Sequence, residues 1–554
     1  MNFINVKKYL PLAVLTLSLG MTSCVKDLDV EPIDPSKNTT VDAQKLFNKC
    51  YAELVLEGDA PGESEIKCND SGLSVLYRVL WNANELTTDE AICGWSDDGI
   101  SEFVNNSYTP SNECLYYLYW RSCFGISICN QYLKECADYD ASMTAEVHFL
   151  RALYYYILLD NYGNPSFTET VSADNPVQMK SPALFQWIVN DLEANMGNML
   201  APSVRKKGAA NYGRADQSAA WMLLARLYLN AEKYTGTAQW AKAQEYAGKV
   251  IKESGRSIWM GDDATTHKSA NGKYSAYQML FMADNDQSGA YNEAIFALIQ
   301  DGANTASWGG ATFLFGSTWD GNMFMDYPQK TDQSWGGNRT RKDLIEKFIT
   351  LSAFDALPNW KPETIIAAAG DDRALFYGDN ADGKKKLKDR KYTNDEIGKF
   401  TEGIATTKYS SCRSDDGATN DSKFLDNDII MMRLAEAYLI YAEAEARAAG
   451  LNNTQTQGTK YINELRARAN NTNTKGSYTL DDILDERARE LYFEGIRRTD
   501  LIRYGYFGGN TDYTWQWKGG IKEGAQFEAT KNLFPIPALE CSTNSNLDQN
   551  LGYK

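Results

Sequence analysis

Residues 217–230 read QSAAWMLLARLYLN and residues 240–251 read WAKAQEYAGKVI, two apolar-striped segments joined by a short connection. Small residues alternate with large ones in both, which lets two antiparallel helices approach closely, and their combined length is near the roughly 34-residue unit of tetratricopeptide repeats. Outward from this pair the pattern recurs. Val147, Leu150, Tyr154, Ile157 and Leu158 stripe a helix over 146–160 at i, i+3, i+4 spacing, with His148 inside it as a packing or capping side chain. A second pair is read over 428–448 (DIIMMRLAEAYLIYAEAEARA) and 459–469, and a further helix from Leu480 to about Ile496. The fold class is therefore mainly α, a tetratricopeptide-like helical-repeat scaffold. Residues 284–424 break the pattern: Gly, Asn, Asp, Ser and Trp crowd a stretch with no sustained period, as they do over 58–112. Long loops on a rigid scaffold are where binding groups sit.

The composition narrows the chemistry. In 554 residues, 43% are hydrophobic and 23% charged, which excludes disorder as the main state. Net charge is −17, more acidic still without Lys7 and Lys8, so the surface repels phosphate backbones and nucleic acid is excluded as a partner. Only His148 and His267 are available, too few for multi-His metal sites or most Ser-His-Asp arrangements. There is no P-loop, GxSxG elbow, HExxH pair or CxxC pair. Acid pairs such as Asp89-Glu90, Asp97-Asp98 and Asp371-Asp372 could hydrolyse a glycosidic bond at the right separation, but among 73 acids such pairs arise by chance and usually cap or solvate.

The N-terminus is an address. Lys7 and Lys8 precede an apolar run from Leu10 to Leu19, too short to span a bilayer, and Gly20-Met21-Thr22-Ser23 leads into Cys24. Residues 1–23 read as a lipoprotein signal peptide, Cys24 as the lipidated first residue of the mature chain, and 24–40 as a tether. The remaining nine cysteines are an odd set; buried thiols in helices are the favoured reading for Cys114–Cys136, and an oxidising compartment would allow one or two disulfides that spacing does not pair.

The surplus is aromatic, with 33 Tyr, 21 Phe and 13 Trp. Trp95, Trp308 and Trp335 each lie beside glycine in a turn-rich stretch: ICGWSDDGIS, ANTASWGGATF and KTDQSWGGN. A large ring next to a residue without a side chain is easily exposed, and its flat face suits the apolar C–H face of a sugar, each stack contributing about 1 kcal/mol beyond area burial. The competing reading is that these rings fill loop cores.

The stretch ERARELYFEGIRRTDLIRYG (Glu486 to Gly505) resembles the C-terminal signature of SusD/RagB-like outer-membrane lipoproteins. RLAEAYLIYAEAEAR, INELRARAN, AEVHFLRALYYYILLDNYG, GRADQSAAWMLLARLYLNA, AAGDDRALFYG and the closing FPIPALE support the likeness across nearly the whole mature chain. Arg487, Arg489, Arg497 and Arg498 alternate in that signature with Glu490, Glu494 and Asp500 at helical spacing, which suits internal ion pairs rather than catalysis. The resemblance implies a SusD-like fold divided as an N-terminal region over 41–283, a loop-rich glycan-binding region over 284–424 and a C-terminal helical region over 425–554. It implies a non-enzymatic lipoprotein at the cell outer membrane that captures glycan and closes on a SusC-like TonB-dependent transporter, beside other glycan-binding lipoproteins.

SCVKDLDVEPIDP, NELTTDE, FMADND, QWKGG and the Trp308 and Trp335 segments are similar to the starch-binding branch. Carried onto this chain, that branch's aromatic arc falls on Trp95, Trp308 and Trp335, with Asp70, Arg78 and Asp98 as polar partners, and its cargo would be starch or malto-oligosaccharide. Trp308 replaces a tyrosine of that pattern, Asp98 an asparagine, and Cys93 stands where a further tryptophan would. Another glycan, a peptide, or a glycoside hydrolase are the competing readings. No cofactor is required, although Asp286 with Asp426 and Asp428 offers hard oxygen ligands for a structural calcium ion, against the commoner role of such acids in turns and caps.

Overall fold

The structure is a computed structural model that describes residues 41–553. The signal peptide, Cys24 and the tether lie outside the described residues. From Gln44 onward the described residues form one compact unit.

The principal helices, in chain order, are α1 (Ala43–Ala52), α2 (Leu76–Glu85), α3 (Glu113–Glu135), α4 (Ala141–Tyr162), α5 (Ser181–Asn195), α6 (Gln217–Leu229), α7 (Trp240–Glu253), α8 (Ala311–Thr318), α9 (Leu434–Ala448), α10 (Thr456–Arg468), α11 (Leu480–Leu491) and α12 (Arg497–Tyr504). Four short strands join distant parts of the chain: β1 (Ala91–Cys93) pairs antiparallel with β3 (Asn338–Thr340), and β2 (Ala294–Leu298) with β4 (Ile429–Arg433). Helix starts follow local chemistry. Asn112 accepts from Leu115 N–H, Asp140 from Met143 N–H and Asp216 from Ser218 N–H, satisfying first-turn donors, while Thr479 and Asp482 close a capping box on α11.

The scaffold is a run of antiparallel helices in which α3 packs on α4, α4 on α5, and α6 on α7. Helix α7 then packs on α9, which packs in turn on α10 and α11, so the array continues across the roughly 180 residues between α7 and α9. Ala225, Ala243, Ala247, Ala437 and Ala444 are fully buried along this array, the close approach the small residues promised. Those intervening residues carry short helices and strands, including α8, and lean against β1 and α2 from the N-terminal part.

Two helix readings need correction. Residues 428–448 are not one helix: Ile429–Arg433 form β4, because β-branched Ile429 and Ile430 suit a strand and β2 is there to pair with. Nor does the last helix of that reading reach Ile496. It ends at Leu491, Phe493 takes φ 62° and Gly495 φ 76°, and the chain reverses into α12. The reversal carries the Phe493 ring onto Trp81, at 5.5 Å between centroids, and the Glu494 carboxylate to Arg433 and Lys408.

Ion pairing in the signature holds, and most of its partners come from elsewhere in the chain rather than from helical neighbours. Glu490 receives Arg433 at 2.6 Å, Arg373 at 3.0 Å and Arg468; Glu486 receives Arg466 at 2.7 Å, Arg489 at 2.8 Å and Arg373 at 2.9 Å. Arg497 reaches back to Asp89 at 2.7 Å, and Arg487 meets Asp500 at 2.6 Å. Arg498 instead donates to the Asn532 carbonyl at 2.9 Å and lies 3.9 Å over the Phe534 ring. The motifs around residues 371, 466 and 486 thus close one buried charge network in which each guanidinium or carboxylate is left uncompensated if its partner is removed. His148 packs as expected, its Nδ1 2.8 Å from Asp191.

Candidate functional site

Three of the four rings in the candidate site are seated on backbone. β1 runs out at Cys93 into Gly94, whose N–H donates to the Gly337 carbonyl at 3.0 Å, and this places Trp95 against Gly337, a φ 107° position where a Cβ would collide with the indole. Trp335 donates its backbone N–H to the Gly316 carbonyl at 2.8 Å and its indole N–H to Gln333 at 2.9 Å. A Cβ at Gly316 would stand 2.9–3.1 Å from three atoms of the Trp335 ring, so one face of this indole lies flat on α8. Trp308 donates its backbone N–H to Glu57, and Gly72 passes under its Cβ with room for no side chain.

These seats bring the three indoles together. Trp95 and Trp335 are 6.4 Å apart at 51°, and Trp335 and Trp308 are 6.0 Å apart at 46°. Phe424 continues the series, 4.8 Å from Trp308 at 59°. All four rings are half-buried, and successive tilts near 50° curve them into an arc. Phe424 escaped the sequence reading. The available signal was Asp421, whose carboxylate accepts from Lys423 and Phe424 N–H at 2.6 and 2.8 Å and turns both side chains outward onto Trp308. The exposed Lys423 ammonium sits 4.7 Å over that indole.

Arg78, on α2, lies at the Trp95 end, 5.4 Å over the Trp95 ring and 5.0 Å over the buried Phe313 ring. It is buried, and its Nε has no hydrogen-bond partner among the described residues. Burial drags the guanidinium below its ordinary value, opposed by Asp70 and then Asp97. Asp70 is exposed, spends one oxygen on Leu73 N–H at 2.9 Å and lies across Gly72 from Arg78. Asp97, not Asp98, is the acid of that turn that acts on Arg78. Asp98 is exposed and its carbonyl faces the Cys114 thiol at 3.4 Å. Cys93 is buried in β1 opposite Asn338.

The other sequence candidates lie apart from the arc. Asp89, Glu90 and Asp371 are 2% exposed or less, the first bound by Arg497 and the last by Arg373, so no substrate reaches them. Asp286 and Asp428 do converge, but as a compensated group: the Lys207 ammonium sits 3.1 Å from Asp286, Asp428 accepts from Tyr212 and from Gln300 N–H, and Asp426 accepts from Asn420. Burial first, then Asp286, pushes Asp428 up to about 7. With an ammonium already beside Asp286, these residues do not fit a calcium ion, and among the described residues no group of three or more His, Cys, Asp or Glu is placed to hold a metal. All nine cysteines among the described residues are free thiols, five of them buried. No described helix is long and apolar enough to cross a membrane.

Comparison with known proteins identifies the chain. A family model described as the SusD family matches residues 278–553, and one described as starch-binding associating with outer membrane matches residues 27–229. The starch-binding protein SusD of Bacteroides thetaiotaomicron is 37% identical over 98% of this chain and 98% of its own length. The chain belongs to the SusD family. Solved SusD-type structures share its fold: a surface glycan-binding protein A from Bacteroides thetaiotaomicron, in complex with laminarihexaose, superposes with TM-score 0.65 at 19% identity, covering 92% of this chain and 98% of that one. A SusD-superfamily protein from Parabacteroides distasonis gives 0.65 at 20%, with the same coverage. At these identities the likeness concerns the SusD fold alone.

Proposed function

We propose that this SusD-family chain is a cell-surface, non-enzymatic glycan-binding protein whose cargo is starch or malto-oligosaccharide. The observation that carries the reading is the arc from Trp95 through Trp335 and Trp308 to Phe424, ended by a buried Arg78 whose Nε lacks a protein partner. A curved row of half-buried rings matches the curved apolar surface of a helically wound α-1,4-glucan, and the Arg78 guanidinium at the Trp95 end would face hydroxyl oxygens through its small exposed part. The 37% identity to a protein named for starch binding supports that cargo. Affinity per site is modest, on the order of micromolar to millimolar, because protein groups only partly replace the hydration that sugar hydroxyls lose.

In this reading Cys24 carries the lipid that holds the body at the outer membrane, and the chain hands glycan to a SusC-like TonB-dependent transporter. Weak, repeated capture suits a carrier that must also release. Native gels cast with a panel of polysaccharides test the cargo: amylopectin retards the wild type, and Trp95→Ala, Trp308→Ala and Trp335→Ala relieve the retardation. Retardation by another glycan instead reassigns the cargo, and unchanged retardation of all three variants removes the site. Reducing-end release from amylopectin, abolished by replacing one exposed acid such as Asp98, would establish a hydrolase instead.

A further inference from the structure

A groove of about 440 Å³ opens on the outer side of α3, within the size range of small-molecule sites. Its floor is aromatic. Tyr116, Trp120 and Phe124 recur every four residues on α3 and are all half-buried; Tyr116 covers one side of Trp120 at 4.2 Å between centroids, and Trp120 and Phe124 line the groove. The Trp120 indole N–H is held by Glu540, from the closing FPIPALE motif, which fixes the ring's orientation. The rim is made of hydroxyls and mixed charges, with Thr170 and Ser172 on the exposed turn after strand residues 166–167, Lys67 on one side and Glu540 on the other.

This lining discriminates between ligand classes. Lys67 shares the lining with three acids, Glu65, Asp174 and Glu540, so an anion finds no concentrated positive charge. The ring of hydroxyls and carboxylates is a poor match for a lipid chain. A neutral ligand with an apolar face and a hydroxyl rim fits both surfaces. One stretch of chain contributes to both places: Glu57 binds Trp308 N–H, Gly72 lies against the Trp308 Cβ, Asp70 and Arg78, and Glu65 and Lys67, between them in sequence, line the groove.

We propose that the Trp120–Phe124 groove is a second carbohydrate-binding site, which takes a segment of the same glycan that the arc holds. The proposal rests on the glycan-binding reading of the arc for the identity of its ligand. Two weak sites on one polymer lengthen residence through effective concentration without any new contact.

Isothermal titration with maltoheptaose and native gels with amylopectin test it, on the full mature chain. The expected result is two maltoheptaose equivalents per wild-type chain, one lost in Trp335→Ala and the other weakened about fivefold or more in Trp120→Ala, the size of a lost ring stack. Val171→Arg, which places a long side chain at the exposed mouth without touching the floor, has the same effect as Trp120→Ala and guards against a folding defect. Amylopectin retardation falls in each single variant and vanishes in Trp335→Ala/Trp120→Ala. One equivalent in the wild type that Trp335→Ala abolishes, or Trp120→Ala and Val171→Arg both behaving as wild type while Trp335→Ala loses binding, overturns the second site alone. Retention of one equivalent in Trp335→Ala with its loss in Trp120→Ala, while the arc variants leave amylopectin retardation unchanged, overturns the arc and keeps the groove. No binding by the wild type overturns both.

Discussion

Trp335 stands in the middle of the arc, with one face on the backbone of α8 and its indole N–H on Gln333. Its orientation is set before ligand arrives, so a sugar meets a ring that has no rotamer freedom left to lose. Trp335→Ala is expected to weaken amylo-oligosaccharide binding about tenfold by titration calorimetry, more than either neighbouring ring, because it breaks the arc into two separated pieces. Gly316 gives a subtler test. Gly316→Ala favours the helix by up to about 1 kcal/mol on propensity, yet its Cβ would press on the Trp335 ring at 2.9 Å. The expected outcome is loss of glycan affinity with no loss of circular dichroism signal, a separation that a purely structural glycine would not show.

At the scale of elements, Arg433 ends β4 and gathers the buried Glu490 and the half-buried Glu494. Arg433→Met takes one cation from each of these carboxylates, leaving Glu490 with Arg373 and Arg468 and Glu494 with Lys408, and is expected to cost about 3 kcal/mol in urea unfolding. The helices of the array were legible in the sequence because a 3.6-residue apolar period survives burial on one face, as over residues 240–253, where Ala243, Tyr246, Ala247 and Val250 are buried. β4 was not, since Ile429–Arg433 continues the apolar run of α9 and only β2, some 135 residues earlier, makes it a strand. The end of α11 was hidden for a similar reason: nothing local marks Phe493 for a left-handed turn, which depends on Trp81 and Lys408 meeting it from far along the chain. Within the site, glycine neighbours made Trp95, Trp308 and Trp335 readable, whereas Phe424 looks like any aromatic before a buried leucine. Asp97, the neighbour of Asp98 in the same turn, acts on Arg78 through space, a proximity that sequence alone does not show.

For the whole molecule, the buried carboxyls set the response to pH. Burial raises Glu90 to about 7, with Arg497 opposing, and burial raises Glu53 and Asp428 to the same value. Between the ordinary carboxylate value, about 4.5 for glutamate, and about 7, the folded chain holds protons that the unfolded chain has released, so stability falls as pH rises through that window. Glu486 and Glu490, held below their ordinary value against burial by Arg373 and Arg468 among others, contribute stability that is lost only at lower pH, as they protonate. The melting temperature is therefore expected to be higher at pH 5.5 than at pH 8, with Glu90→Gln flattening the slope; a rise from pH 5.5 to 8 would contradict the assignment. Asp89 finds its arginine at position 497, 408 residues later, and Trp81 donates to the Phe493 carbonyl, 412 residues later. Helices α3 to α7 can pack on one another as they emerge, but the two contacts that tie α2 and the turn after it to the interior wait for the last tenth or so of the chain.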